Sequence, residues 1–425
     1  MKLHKTALLI LAIALTIKSG VMAQPSDPKP LRDFQLSVFP FVGTEGRDGI
    51  NYRYHFSINL FAGINGGLEG FEAGGFLNIN TGQVTGAQFS GFGNIVHGNM
   101  EGLQYAGFMN LNNGNTKAFH GAGFLNSVTG SAEGFLGSGF LNIVGGNSKS
   151  FSGAGFANIT GGNFEGFSGS GFANITGGSY KGFQAAGFAN VTGGTFEGFQ
   201  AAGFANVTGN PSQGANIAGF MNVNNDMKGL QLAGFMNVAR KVQGAQIGFL
   251  NIADTVDGVP IGFLSIVKKG ALRQIELAGS DVMHVNASFR IGVPVFYNIF
   301  SYGFRPFTDE KRQGFGYGVG SEIRLSDFTA LQIEAHSTQL RKEWNKNYDQ
   351  LDMLNELRLT FGTSLPGKLE LFAGPVLYNH LYKDKPEDGI TGSDLSRYTI
   401  NETRWDDYVS KWWIGARGGL RLKLN

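Results

Sequence analysis

The stretch that decides the fold of this chain runs from Gly182 to Glu197 and reads GFQAAGFANVTGGTFE. Gly198 begins the next copy, so the unit is sixteen residues long. Thirteen copies follow one another between the anchors Phe76 and Phe263, and the last three steps shorten to fifteen, fourteen and fourteen residues. Self-similarity at a fixed period indicates a repeat protein rather than a globular enzyme.

Two positions of the repeat hardly vary. A Phe that follows Gly anchors every copy, and these residues are Phe76, Phe92, Phe108, Phe124, Phe140, Phe156, Phe172, Phe188, Phe204, Phe220, Phe235, Phe249 and Phe263. Two positions later the last copy has Ser265, and the other twelve have Asn78, Asn94, Asn110, Asn126, Asn142, Asn158, Asn174, Asn190, Asn206, Asn222, Asn237 and Asn251. Stacked amides can form a hydrogen-bonded ladder, and stacked rings can form a column. We therefore predict that both sets are structural ladder residues.

The spacing is compatible with two all-β architectures. Each copy can be one strand of a single very large barrel, because about 9–11 residues suffice for a strand to cross a membrane. Alternatively, each copy is one coil of a parallel β-solenoid that stacks in register for roughly 60 Å. Successive strands of an up-and-down barrel alternate in direction, so its links should differ in pairs. The links Gly161–Glu165, Gly177–Lys181 and Gly193–Glu197 are equivalent instead, which favours the solenoid.

The C-terminal region, residues 271–425, alternates with a period of two. Its last strand has one apolar face, and the opposite face carries four cations, Lys411, Arg417, Arg421 and Lys423. A membrane barrel has this arrangement, with apolar side chains towards lipid and polar ones in the interior. Short links around Ser326 and Pro366 alternate with long polar ones at residues 305–313, 341–352 and 382–408. The alternation is typical of the short periplasmic turns and long outer loops of outer-membrane barrels.

Counting strands gives the size of the predicted barrel. Eight candidates lie between Gln274 and Leu424, if Gln274–Ile291 is read as two short strands. Two more precede the repeats, Phe34–Val42 and Tyr52–Gly63, and would form a hairpin of the same barrel. We therefore predict an outer-membrane antiparallel barrel of about 8–10 strands. With a periplasmic C-terminus, this count places both ends of the repeat region on the periplasmic side.

The first residues have the pattern of a secretory signal peptide. Lys2 and Lys5 precede the apolar run Ala7–Ile17, and small or medium residues end at Ala23. The predicted organisation is a signal peptide at residues 1–23, a linker and barrel hairpin at 24–63, a solenoid at 64–270, and barrel strands at 271–425.

Composition argues against several kinds of site. The net charge of +2 gives no basic field for nucleic acid, and the chain has no Cys for thiolate metal sites. Its seven His residues do not pair at metal-ligand spacing, and calcium-binding repeats would need more Asp than Asp226 alone between Gly63 and Leu250. His336 and Ser337 are adjacent, but neighbours on a strand point to opposite faces. We predict no catalytic, cofactor or metal-binding residues.

Three phrases, Gly244–Val256, Ile261–Gly270 and Phe296–Phe300, resemble the surface-repeat proteins of Bacteroidota and leptospiral envelopes. The resemblance covers residues 34–425 and implies an outer-membrane or surface location without a transferable activity. The sixteen-residue copies are longer than the fourteen-residue type of that family.

The sequence thus predicts a non-catalytic outer-membrane protein of a Gram-negative-type bacterium, with a structural or interaction role for its repeats. Outer-membrane lipid is one expected partner, and an envelope or extracellular protein or glycan is another. Two alternatives stay open. One is a pore or transport protein with the repeats as plug or extension, and the other is a barrel enzyme that acts on envelope lipids.

Overall fold

The computed structural model describes residues 29–307, 311–341, 351–384, 395 and 398–424, so the predicted signal peptide lies outside the described residues. The chain is all-β, with a parallel β-solenoid of about thirteen coils and a closed antiparallel barrel of eight strands. It divides into two compact units, one ending at Phe235 and one starting at Met236. In the described part of the chain, no helix is long and apolar enough to cross a membrane.

The N-terminal strands correct one prediction, because they belong to the solenoid and not to the barrel. They are β1 (Leu31–Phe39), β2 (Val42–Gly43) and β3 (Arg53–Asn59), with a 3-10 helix at Gly46–Asn51. β1 and β3 run parallel, with Phe34 beside Phe56, so they are not the expected antiparallel hairpin. The physical reason is that β1 buries Gln35 and Ser37 and exposes its apolar residues, which is the same alternation that a membrane barrel strand shows.

Each complete coil of the solenoid contributes two strands. The longer ones are β5 (Gly67–Gly74), β7 (Val84–Ser90), β9 (Met100–Ala106), β11 (Thr116–Ala122), β13 (Ala132–Ser138), β15 (Ser148–Ala154), β17 (Phe164–Ser170), β19 (Tyr180–Ala186), β21 (Phe196–Ala202), β23 (Ser212–Ala218) and β25 (Asp226–Ala233). The four-residue ones are β4 (Ala62–Asn65), β6 (Leu77–Asn80), β8 (Gly93–Val96), β10 (Met109–Asn112), β12 (Leu125–Val128), β14 (Leu141–Val144), β16 (Ala157–Thr160), β18 (Ala173–Thr176), β20 (Ala189–Thr192), β22 (Ala205–Thr208) and β24 (Met221–Asn224). Equivalent strands pair in parallel, so that Asn174 lies beside Asn190.

Glycine is required where most of the long strands bend. Gly182 has φ 130°, and a Cβ there would lie 2.0 Å from the carbonyl oxygen of Gly166 one coil below. The same position in most other coils is also a Gly with positive φ. Only a residue without a side chain permits both this backbone conformation and this close approach.

The coils of the second unit have shorter steps and different strands. They are β26 (Met236–Ile247), β27 (Leu250–Ile261) and β28 (Leu264–Val267). The shortened repeat lacks the Gly-Gly corner, so one twelve-residue strand replaces a short and a long one. Asn237 still lies beside Asn251, so the register of the repeat is kept.

The barrel consists of β29 (Leu272–Ser280), β30 (Val285–Val293), β31 (Phe296–Arg305), β32 (Arg312–Arg324), β33 (Thr329–Arg341), β34 (Asp352–Ser364), β35 (Leu369–Lys383) and β37 (Tyr408–Lys423). Neighbours are antiparallel, and β29 pairs with β37 to close the barrel. A further strand, β36 (Asn401–Trp405), pairs with β37 outside the closed ring. The two short strands expected within Gln274–Ile291 are therefore present as β29 and the first part of β30.

The barrel is polar inside and apolar outside. In β34, Glu356, Arg358 and Thr360 are buried in the interior, whereas Leu357, Leu359 and Phe361 are exposed on the outer wall. In β37, Arg417 and Arg421 point inward, as the alternation of the sequence predicts. A water-soluble barrel would have the opposite pattern, so the wall of this barrel is compatible with an outer membrane.

Candidate functional site

The predicted Asn residues are buried and form a column within each unit of the solenoid. In the first unit, each Nδ2 from Asn78 to Asn206 donates to Oδ1 of the Asn in the next coil, at 2.9–3.0 Å. The same nitrogen donates to a backbone carbonyl, for example from Asn174 to Ala185 O at 2.6 Å. In the second unit, Asn237 donates to Asn251 at 3.0 Å. Both hydrogens of these amides are used, so burial carries little desolvation penalty.

The two ends of the column use different residues. Asn59 donates to Asn78 Oδ1 at 2.8 Å and fills the place that Gly63 leaves open in its own coil. At the other end, Asn251 donates to Ile261 O at 2.9 Å, and Ser265 donates to Pro260 O at 2.9 Å. A shorter side chain with a single donor suits the last coil. Sequence reasoning missed Asn59 because it lies outside the repeat motif.

The predicted Phe residues form a column at an outer corner of the solenoid. In the first unit, successive rings from Phe61 to Phe235 stack with centroids 4.6–5.0 Å apart. Phe249 and Phe263 stack at 5.0 Å in the second unit. Unlike the buried amides, these rings remain half-exposed, and Phe172 keeps 42% of its surface. The Asn column is therefore internal and the Phe column is external.

A second ring column lies on the outer face of the long strands. Its members stack at 4.3–5.5 Å and are Phe119, Phe135, Phe151, Phe167, Phe183 and Phe199. Sequence reasoning missed this column because it followed only the positions that recur in every copy. Reading every sixteenth residue from Phe119 would have found it.

The opposite edge of the solenoid carries a row of charges that alternate in sign from coil to coil: Glu101, Lys117, Glu133, Lys149, Glu165, Lys181 and Glu197. Lys149 and Lys181 each lie 3.6 Å from the Glu of the next coil. Beside this row, side-chain oxygens cap backbone N–H groups one coil ahead, as Asn163 does for Ser179 at 2.8 Å. Together they line an open groove of about 840 Å³. Because four Glu alternate with three Lys, the net charge of the row is only −1, and neighbouring charges largely offset one another.

Glu72 is a fully buried carboxylate near the first coil. Its oxygens accept hydrogen bonds from five side chains, Ser57, Asn59, Asn65, Asn80 and Gln88, at 2.6–3.2 Å. Burial away from water raises the pKa of this carboxyl, and the hydrogen bonds only partly offset that effect. Sequence reasoning missed Glu72 because a single acidic residue in a repeat copy normally indicates a surface position.

The interior of the barrel is filled by four Arg and four Glu side chains, Glu276, Arg290, Glu334, Glu356, Arg358, Glu370, Arg417 and Arg421. Arg417 and Arg421 contact Glu276 at 2.7 and 2.8 Å, and Arg421 also contacts Glu370 at 2.8 Å. These residues come from six strands, and Arg290 of β30 reaches across the interior to Glu334 of β33. The charges are balanced and hydrogen-bonded, as buried charges must be.

A chain of three polar residues crosses the barrel interior beside these charges. Ser301 Oγ lies 2.8 Å from Nε2 of His336, and Nδ1 of His336 lies 3.1 Å from Glu356 Oε2. A serine, an imidazole and a carboxylate in this order can activate the hydroxyl as a nucleophile. Ser301 is nonetheless buried, and Arg358 also binds Glu356. The adjacent Ser337 takes no part, because it points to the outer wall and donates to Asn355 at 2.7 Å.

Comparisons with protein-family models, with characterised proteins and with solved structures gave no significant match. Within the described ranges, no group of three or more His, Asp or Glu side chains is arranged to hold a metal ion.

Proposed function

We propose that this protein is a non-catalytic outer-membrane protein whose solenoid is a structural or interaction surface. The observation that carries the proposal is the reversed polarity of the barrel wall. Leu357, Leu359 and Phe361 are exposed on the outside, while Glu356 and Arg358 are buried inside. Apolar exposure of this kind is unfavourable in water and favourable in lipid.

Two further features support this proposal. The signal-peptide pattern of residues 1–23 would send the chain out of the cytoplasm. The resemblance to surface-repeat proteins of Bacteroidota and leptospiral envelopes points to the same membrane. Lipid is then one partner, and an envelope or extracellular protein or glycan is a candidate second partner for the solenoid.

Fractionation of cells that express the full chain tests the location. The expected result is recovery in the outer-membrane fraction, with faster gel migration before boiling than after it. Such a shift is a property of closed barrels that resist detergent at room temperature. Recovery as a soluble periplasmic or secreted protein would overturn the proposal.

The filled interior argues against a pore. An eight-stranded barrel has room only for its own side chains, and here the Arg and Glu residues occupy that room. We expect no stepwise conductance when the purified protein is added to planar lipid bilayers. Reproducible single-channel steps would favour transport instead.

A hydrolase is the second candidate function, because Ser301, His336 and Glu356 have the order and spacing of a nucleophilic relay. The matched pair Ser301→Ala and Ser337→Ala tests it. Ser301 contacts the ring of His336, whereas Ser337 is only its neighbour in the sequence and serves as the control. Hydrolysis of an acyl ester that Ser301→Ala abolishes and Ser337→Ala retains would establish this activity. Equal rates for both variants and the unmodified protein would exclude a role for Ser301.

A further inference from the structure

The outer surface of the solenoid is divided lengthwise into an apolar edge and a charged edge. In the coil that begins at Tyr180, the outward side chains run from Lys181 through Phe183 and Ala185 to the corner at Phe188. The outward residues of the following short strand are apolar as well, and the polar Gly-Gly corner comes next. We call the surface formed by the two Phe columns and the outward residues of the short strands the Phe edge.

The interior of the same coils is more polar than the Phe edge. Gln184, Asn190 and Thr192 are buried, while Phe183 and Phe188 remain about 40% exposed. The eleven coils from Phe76 to Phe235 span roughly 50 Å, so the Phe edge covers on the order of 1,000 Å². The largest apolar patch of a soluble monomer is usually about 300–600 Å². A surface of this size is unfavourable in water and indicates that something apolar covers it.

The last coil shows what one member of the Phe column contacts. Within the second unit, Phe263 packs against Phe300 and Tyr317, with ring centroids 5.6 and 5.2 Å apart. Asn298 fixes the coil by donating to Gly262 O at 2.8 Å. Phe300 and Tyr317 point outward from the barrel, so this Phe lies on the wall that meets lipid under the proposed function. Within the second unit, this end of the Phe column is thus continuous with the apolar outer wall of the barrel.

We infer that the Phe edge of the solenoid contacts lipid acyl chains, with the charged edge directed towards water. The inference rests on the proposed outer-membrane function. Acyl chains are the occupant that the surface fits best, because the edge repeats the same side chains in coil after coil. A protein interface would need polar groups and pockets among the apolar residues, whereas lipid needs neither.

The charged edge adds a second expectation. Glu and Lys alternate along it, so the solenoid offers no block of cations to anionic headgroups. Contact with lipid should therefore depend on apolar burial and not on headgroup charge.

Cysteine labelling tests the inference, because the chain contains no Cys. Phe172→Cys on the Phe edge, Lys181→Cys on the charged edge and Leu359→Cys on the barrel wall are each made in the full chain. Each variant carries an environment-sensitive fluorophore and is reconstituted in phosphatidylcholine vesicles, with or without bromine on the acyl chains. Phe188→Cys repeats the measurement one coil away, in case one substitution disturbs folding.

We expect a blue-shifted emission and loss of intensity with brominated lipid at Phe172 and Leu359, but not at Lys181. The loss should be the same when half of the lipid is phosphatidylglycerol. Quenching at Leu359 without quenching at Phe172 and Phe188 would overturn the inference and leave the proposed function intact. Absence of quenching at Leu359 as well would overturn both. Unquenched Phe172 that instead cross-links between two copies would assign the Phe edge to self-association and overturn lipid contact.

Discussion

At the scale of single residues, we expect His120 to make the solenoid sensitive to acid. It is buried in β11, hydrogen-bonded to Thr116, and burial lowers its pKa to about 4. The unfolded chain binds a proton near pH 6.5 and the folded one does not. Above pH 6.5, His120 is neutral in both states and does not lower the free energy of unfolding. As the pH drops towards 4, the free energy of unfolding should fall by roughly 3 kcal/mol.

The variant His120→Gln should remove this loss, because Gln104 and Gln184 already occupy the equivalent place in other coils. Amide hydrogen exchange of β11, compared with the unmodified protein at pH 7 and at pH 4.5, measures the effect. Replacement of the exposed His97 by Gln is the control and should keep the acid sensitivity. Equal protection loss in His120→Gln and the unmodified protein would contradict the prediction.

Glu72 should act in the opposite direction. Its raised pKa means that the unfolded chain ionises more readily than the folded one. We therefore expect the first coils to be less stable at neutral pH and to gain stability as the pH falls through the raised folded value. Glu72→Gln should flatten this dependence, and Asn80 has a free Oδ1 that can accept from the new amide after rotation. Protease resistance of the N-terminal coils, measured across pH, tests the prediction, with Glu101→Gln as an exposed control. The same pH dependence in Glu72→Gln as in the unmodified protein would contradict it.

The Asn column allows a direct test of one amide. Asn174→Leu would leave Asn158 Nδ2 without its acceptor and Asn190 Oδ1 without its donor. Loss of such bonds in a buried site costs about 1–3 kcal/mol. Lys181→Gln, on the charged edge, should change little. Protease resistance that is the same for both variants would show that the column contributes nothing to stability.

At the scale of elements, the outer wall of β34 separates a membrane barrel from a soluble one. Leu359→Arg places a cation near the middle of the strand, and Thr363→Arg places it beside the short turn. In lipid the first change should cost about 2–4 kcal/mol and the second about 0–1 kcal/mol. Urea unfolding in phosphatidylcholine vesicles measures both. Similar free energies of unfolding for the two variants would argue that β34 does not cross a membrane.

Two periodicities of the sequence predict most of the strands. A strict period of sixteen residues predicts parallel stacking, and period-two alternation predicts the eight barrel strands. The alternation cannot decide whether β1 and β3 belong to the solenoid or to the barrel. In β1, Gln35 and Ser37 point inward among exposed apolar neighbours, as they would in a barrel. The ionic pairs of the barrel and the five donors around Glu72 depend on which side chains meet across a core. That information lies in the register of distant strands and not in local spacing.

At the scale of the whole molecule, the barrel geometry bears on where the repeats lie. Leu424 N donates to Arg273 O at 2.9 Å, so the chain enters and leaves the barrel at the same end. With a periplasmic C-terminus, the C-terminal end of the repeats is then periplasmic. The N-terminal end has no such constraint, because β1 and β3 belong to the solenoid.

An epitope inserted between Asn210 and Pro211, at an exposed corner, tests this placement. We expect antibody labelling only after the outer membrane is permeabilised. A second epitope in the long link between Arg341 and Asp352 should be labelled on intact cells and serves as the control. Labelling of the first epitope on intact cells would place the repeats outside.

The alternating Glu and Lys row affects how many repeat copies can be gained or lost at one time. Loss of one copy, for example residues 166–181, would bring Glu165 directly beside Glu197, and like charges in register repel. Loss of two copies, residues 150–181, would bring Lys149 beside Glu197 and keep the alternation. Recombination between copies should therefore be tolerated more readily in steps of thirty-two residues than of sixteen, because only the longer step keeps opposite charges in neighbouring coils.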